Sequence, residues 1–221
     1  MMEELVMDEK ANGILEKNEG TLQGTIIGMN ITSKIASIKL VIEGERGNKN
    51  FPSVICFKPN MLAGISIRQR VKITGHTQNR RNVKGNGKIG NTTIFVADKI
   101  TPSKRRLLDF IKPEYIEDDE GGNSLDENYI YVIGRVISSY SPTNSNGDVC
   151  ILRLESKTYD NNNYTRQCDF TCFGKQAKIA EMLEPGTLVA MVGYICTSKK
   201  EKDGELVYYQ NVVNKDLAVL K

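Results

Sequence analysis

Ten short apolar runs, five in each half of the chain, carry the secondary-structure signal. The first half reads TLQGTIIG (21–28), IASIKLVIE (35–43), FPSVICFK (51–58), QRVKITGHT (69–77) and TTIFVADKI (92–100). The second reads YVIGRVIS (131–138), VCILRLES (149–156), CDFTCFGK (168–175), TLVAMVGYI (187–195) and LVYYQNVV (206–213). β-Branched and aromatic residues dominate each run, and Gly, Asn, Asp and Lys-rich turns separate them, which is the pattern of short strands. One stretch departs from it. In KQAKIAEMLEPGT (175–187), Ala177, Ile179, Ala180, Met182 and Leu183 approximate helical spacing and Pro185-Gly186 ends the run. The first half has only KPNMLAGIS at that place, so its helix is expected to be short or distorted.

The two halves repeat one another. Gly24 matches Gly134, Phe57 matches Phe173, Gly75 matches Gly193 and Ile94 matches Val207, in the same order and at near-constant spacing. Three strands, a helix and two further strands is the order of the OB-fold, a five-stranded Greek-key barrel. The sequence therefore predicts an all-β chain of two tandem OB-fold domains, each with a short helix between its third and fourth strands.

Charge divides the chain along the same lines. Residues 1–18 form an acidic N-terminal segment of net −3, and residues 19–104, the first domain, hold fourteen basic and four acidic side chains, +10. Residues 105–127 are an acidic linker of −5, containing most of EYIEDDEGGNSLDEN, and residues 128–221, the second domain, stand at +1. The overall +3 is thus a cancellation, and the +10 segment is an electrostatic footprint suited to a polyanion.

Other classes of function lose ground on composition. The longest apolar stretch, Leu188–Cys196, has nine residues against the roughly 20 of a membrane helix. The opening MMEELVMDEK is acidic where a secretory signal is basic and then apolar, so a soluble, cytoplasmic protein without a membrane partner is expected. Five cysteines at irregular spacing suit a reducing compartment. A single histidine, His76, excludes multi-histidine metal sites, and no paired carboxylates or nucleophile–base set emerges. No enzyme, no cofactor and no metal are expected.

Strand alternation assigns faces. In the third strand of the first half, Phe51, Ser53, Ile55 and Phe57 share one face and Val54 and Cys56 the other. In the second half Gln167, Asp169, Thr171 and Phe173 oppose Cys168, Phe170 and Cys172. The small apolar sets are the core candidates, and the shared parity of Cys168 and Cys172 fits a core better than a zinc site. The fourth strand of the first half alternates Arg70, Lys72, Thr74 and His76 with Val71, Ile73, Gly75 and Thr77, which predicts a cationic outer face, with Lys39 similarly placed in the second strand. The equivalent outer set in the second half, Leu188, Ala190, Val192 and Tyr194, is apolar and is expected to pack against the other half or a second chain. The loop TQNRRNVKGNGKIGNT (77–92) carries Arg80, Arg81, Lys84 and Lys88 with no acid. It joins strands four and five, where OB-folds often hold a ligand loop.

The run from CDFTCFGK through LVYYQNVV resembles the C-terminal half of the bacterial single-stranded DNA-binding protein OB domain. That family ends a strand in an apolar-Phe/Trp-Gly-Lys-Gln-Ala turn, follows it with a helix closing on Leu-x-x-Gly, and then has a strand ending in Gly and a basic hairpin. NYIYVIGRV (128–136) is similar to its first strand. The resemblance covers residues 128–214 directly and 20–101 through the repeat, in the manner of the two-domain members, which dimerise to present four OB units.

The resemblance implies sequence-tolerant binding of single-stranded DNA in replication, recombination or repair, through a basic groove and aromatic base stacking. It also implies a homodimer giving four OB-folds, and replication or recombination proteins as partners. Phe57 and Phe173 fall where the family places a base-stacking aromatic, and Phe51 keeps a second one that Gln167 replaces in the other half. Lys199 and Lys200 stand where the family has a hairpin aromatic, and Tyr159 and Tyr164 are candidate substitutes. Lys58, Arg68, Arg135, Arg153, Arg166 and Lys175 complete the candidate cations. The family's acidic, Phe-terminated recruiting tail has no match in the closing NKDLAVLK, and the acidic N-terminus or the 114–127 linker is expected to stand in for it and to compete with DNA. The alternative reading is an OB-fold adaptor that docks replication proteins and binds nucleic acid weakly.

Overall fold

The computed structural model describes residues 15–43, 48–83, 89–103, 126–143, 148–157, 165–202 and 205–220. Eleven strands fill them: β1 (Lys17–Ile31), β2 (Ala36–Glu43), β3 (Lys49–Asn50), β4 (Ser53–Cys56), β5 (Arg70–Val83), β6 (Ile89–Pro102), β7 (Asn128–Tyr140), β8 (Val149–Lys157), β9 (Thr165–Phe173), β10 (Leu188–Lys202) and β11 (Glu205–Val219). One α-helix, α1 (Lys175–Glu181), follows β9. Among the described residues no helix is long and apolar enough to cross a membrane.

Hydrogen bonding closes the strands into barrels of the OB type. β1 pairs with β2 and β5, β5 with β6, and β2 with β4, all antiparallel, and the parallel pair β4–β6 completes the ring. The same circuit recurs as β7–β8–β9–β11–β10–β7, again closed by one parallel pair, β9–β11. The two rings are not separate beads. β1 pairs antiparallel with β7 from Lys17↔Ile133 to Leu22↔Asn128, so one sheet runs through both.

Alternation explains the interiors. Leu22, Ile26, Leu40, Ile73 and Phe95 fill the first ring and Ile130, Leu152, Leu154, Phe170 and Met191 the second, all fully buried. Each contributes roughly 1.5–3 kcal/mol. Cys56, Cys168 and Cys172 lie in these cores, as the strand parity predicted. Burial pushes the Cys168 and Cys172 thiols up to about 12.

The repeated glycines have a steric cause. At Gly75 and Gly193 the strand register shifts by a bulge. A Cβ there would stand 2.0 Å from the Val96 carbonyl oxygen and 2.4 Å from that of Val213.

The short or distorted helix expected in the first half takes a 3-10 form, and one anchor of the repeat needs correction. Between the third and fourth strands of the first ring there is no α-helix but a 3-10 turn, Pro59–Leu62. Gly64, at a φ of 78°, turns the chain away after a single turn, too soon for α-helical hydrogen bonds to accumulate. The anchor Ile94–Val207 is also displaced. Asn79 pairs with Thr93 and the equivalent Thr197 pairs with Gln210, so Thr93 corresponds to Gln210.

An asparagine absent from the sequence argument secures each ring. The Asn18 side chain donates to the Thr77 carbonyl (2.7 Å) and accepts from the Thr77 N–H (3.0 Å). Asn128 does the same with Ile195, at 2.8 Å in both directions. Each amide replaces a backbone pair where the first strand stops following the fourth.

Candidate nucleic-acid interface

The outer faces of the third strands present the aromatic candidates. Phe57 is 52% exposed, Phe173 50% and Phe51 37%, while Val54, Cys56, Phe170 and Cys172 beneath them are buried. Next to Phe57 is Lys58, exposed, and further along the same ring Lys39 lies half-buried on β2 opposite Ser53. Around Phe173 lie Lys175, exposed at the start of α1, and Val149, its partner on β8. Tyr140, which the sequence argument passed over, is 54% exposed at the end of β7 and pairs with Ile151, which in turn pairs with Thr171. It therefore shares the outer face of the second ring with Phe173. In the sequence it has the parity of the buried Ile130, Val132 and Val136, and only the register shift between Val136 and Ser138 turns it outward, so simple alternation could not find it.

Arg70, Lys72 and His76 lie on the outer face of the fourth strand, as alternation predicted, and each stands beside an acid. Arg70 is 7% exposed and its Nη2 lies 2.7 Å from Asp126 Oδ1, itself 9% exposed. Lys72 Nζ lies 2.9 Å from Glu127 Oε1, and His76, buried, has its Nδ1 2.9 Å from Asp98 Oδ2. The Asp126 carboxylate also accepts the Glu43 N–H at 2.8 Å, and the Glu127 carbonyl accepts the Gln23 N–H at 2.7 Å. The last two linker residues are thus fastened along β5. Beside them a cleft lined by Asn18, Glu19, Thr21, Thr74, Asp98 and Tyr129 contains two carboxylates. A phosphate chain gains little from Arg70, whose buried charge already faces a carboxylate, and must share Lys72 with Glu127.

Other candidate cations are spread. Arg135 is exposed but reaches Glu16 (3.3 Å) and the Gly186 carbonyl (3.3 Å). Arg153 holds Asp169 with two bonds, 2.7 and 2.8 Å, and this carboxylate raises the guanidinium further above its ordinary value. Arg68 is exposed at a turn with φ of 71°. Arg80, Arg81 and Lys199 are exposed on the two long hairpins, and Arg166 is half-buried on β9. Lys84, Lys88, Tyr159 and Tyr164 lie outside the described residues, and of Lys200 only the backbone is described.

Each long hairpin crosses to the other ring. From the first ring, Asn79 on β5 donates to Asp169 Oδ1 (2.8 Å), Thr93 on β6 donates to Asn79 Oδ1 (2.7 Å), and the Asp169 N–H donates to Thr93 Oγ1 (3.3 Å). From the second ring, Thr197 on β10 accepts the Phe51 N–H (2.9 Å) and Gln210 on β11 accepts the Ser53 N–H (2.8 Å). The Thr197 N–H reaches Asn50 Oδ1 at 3.2 Å. Thr197 is the counterpart of Asn79, Gln210 of Thr93 and Ser53 of Asp169, so the clasps are reciprocal. Each covers the open side of a third strand, where unpaired backbone donors would otherwise be left.

Comparison with known proteins agrees with this architecture. No family model matches the chain, and no curated protein matches it in sequence. Among solved structures, a deletion mutant of the single-stranded DNA-binding protein from Thermus aquaticus superposes with a TM-score of 0.58. The match covers 94% of this chain and 96% of that one at 16% identity. The wild-type Thermus aquaticus protein gives 0.57 over 94% and 95%, also at 16% identity. The Plasmodium falciparum single-stranded DNA-binding protein, in complex with single-stranded DNA, aligns at 19% identity over 45% of this chain and all of its own, with a TM-score of 0.35. At these identities the likeness establishes the OB-type barrel architecture of the chain.

Proposed function

We propose that the protein binds single-stranded DNA without sequence choice, stacking bases on the outer faces of its third strands. The observation that carries this reading is the matched exposure of Phe57 and Phe173, equivalent residues left half in water above filled cores. A large aromatic side chain gains from being covered, and a base offers a flat partner. Exposed cations beside them, Lys58 and Lys175, and on the hairpins supply affinity for phosphate. The proposal includes service in replication, recombination or repair, in the cytoplasm. No step of it calls for catalysis.

A homodimer carrying four such barrels is part of the proposal. Leu188, Ala190, Val192 and Tyr194 form an apolar row on the outside of β10, only half-buried, beside Tyr131 and Ile133 on β7. A second copy is the occupant that would cover this row, and light scattering measures it.

A salt titration of binding to oligo-dT, matched duplex and single-stranded RNA tests the DNA reading. Oligo-dT is expected to bind best and to weaken steeply with salt. Phe57→Ala and Phe173→Ala are each expected to cost about 1–3 kcal/mol of binding with little change in thermal stability. Equal or absent binding to all three nucleic acids would favour the adaptor reading, with the β10 face as its docking surface.

A further inference from the structure

We propose that the two nucleic-acid sites are crossed: the first ring's hairpin serves the aromatic face of the second ring, and the second ring's hairpin serves that of the first. This rests on the single-stranded DNA reading above and adds which cations act with which platform.

The geometry starts at the clasps. Asn79 and Thr93 fix the β5–β6 hairpin to Asp169, on the same outer face of β9 as Phe173. At roughly 3.3 Å per residue, Arg80 and Arg81 follow within about 7 Å along the strand beyond that contact. Both are exposed, and the loop 77–92 holds four basic residues and no acid. The second ring's face needs such a supply. Its own central cation, Arg153, is held by Asp169, and Arg135 lies against Glu16, leaving Lys175 as the exposed cation nearest Phe173 in sequence. The β10–β11 hairpin, residues 197–210, carries three basic and three acidic residues and is fastened beside Phe51 instead. The first ring, whose outer face already has Lys39 and Lys58, receives the neutral hairpin.

Crossing redistributes the charge. The +10 segment does not grip DNA for itself alone, since its Arg80 and Arg81 are delivered to the near-neutral neighbour. A strand threading the second ring's platforms would run between Phe173 and Tyr140 on one side and Arg80 and Arg81 on the other.

The chain has no tryptophan, so Phe57→Trp and Phe173→Trp each give a protein with a single reporter on one face. An oligo-dT of about ten nucleotides, near the span of one OB-fold, should quench both. Adding Arg80→Ala and Arg81→Ala is expected to raise the quenching midpoint at position 173 roughly tenfold and to lower its salt slope by about 1.4, while position 57 moves less than twofold. Adding Lys199→Ala should weaken position 57 and leave 173 unchanged. All three cations are exposed, so folding is not at stake. If the paired arginine change weakens position 57 as much as or more than 173, the crossed assignment is overturned. If neither tryptophan is quenched in the unaltered background, the single-stranded DNA reading falls, and the crossing with it.

Discussion

The two rings close on the same pair of side chains in opposite order. Across the parallel pair β4–β6, Val54 stands in register with Phe95; across β9–β11, Phe170 stands in register with Val212. The phenylalanine has moved from the fifth strand to the third, and the valine has moved the other way. In both rings it reaches the same point, because a Cβ on Gly75 would stand 3.0 Å from the ring of Phe95 and one on Gly193 3.0 Å from that of Phe170. The volume at the closure is conserved while the residue at each position is not. Close packing constrains what fills a space rather than which strand fills it.

That equivalence can be broken and then restored. Phe95→Ala, emptying a fully buried site, is expected to cost about 3–5 kcal/mol in chemical denaturation. Phe95→Val combined with Val54→Phe copies the second ring's order into the first and is expected to stay within about 1.5 kcal/mol of the natural chain. If the double variant is no more stable than Phe95→Val alone, the two closures are not interchangeable.

The outer faces of the fourth strands make a second contrast, since one is charged and covered by acids while the other is apolar and half-open. Asp126→Ala leaves the buried Arg70 without its carboxylate and is expected to destabilise by about 3 kcal/mol, the lower end for a buried pair. Glu127→Ala breaks a pair whose two side chains are 42% and 41% exposed, and is expected to cost less than about 1 kcal/mol. Thermal melts of the two variants side by side measure the difference. Equal losses would mean that burial does not separate the two pairs.

These contrasts show what the sequence could and could not disclose. Parity placed Phe51, Phe57 and Phe173 outside and the three core cysteines inside, because a strand with one filled face leaves few alternatives. The same rule placed Arg70 and His76 on the outer side of β5 correctly but could not say what covers them. Lys72 and Glu127 are 55 residues apart, and no local pattern links them. The repeat was legible through its glycines, where backbone crowding admits nothing larger, and slipped at Ile94, beyond the last such constraint. The clasps escaped because Asn79, Thr93, Thr197 and Gln210 are ordinary polar strand residues until the β1–β7 pairing brings the rings together.

The core thiols give an effect that appears only at alkaline pH and sharpen the comparison of the two interiors. Cys150, Cys168 and Cys172 all lie in the second ring's core, and burial raises each of their pKa values. For Cys168 and Cys172 the rise is from 9.0 to about 12, so the folded state keeps them as neutral thiols where the unfolded chain ionises. A group whose folded pKa is raised contributes stability that is complete below its unfolded pKa. The contribution is lost as pH climbs toward the folded value. The window is therefore pH 9 to 12, and at pH 10 each of these two thiols is expected to cost about 1.4 kcal/mol. Denaturation at pH 7 and pH 10 measures the sum. Cys168→Val with Cys172→Val should flatten the dependence by about twice that amount if the thiols are its source. An unchanged slope would assign the alkaline loss to other groups.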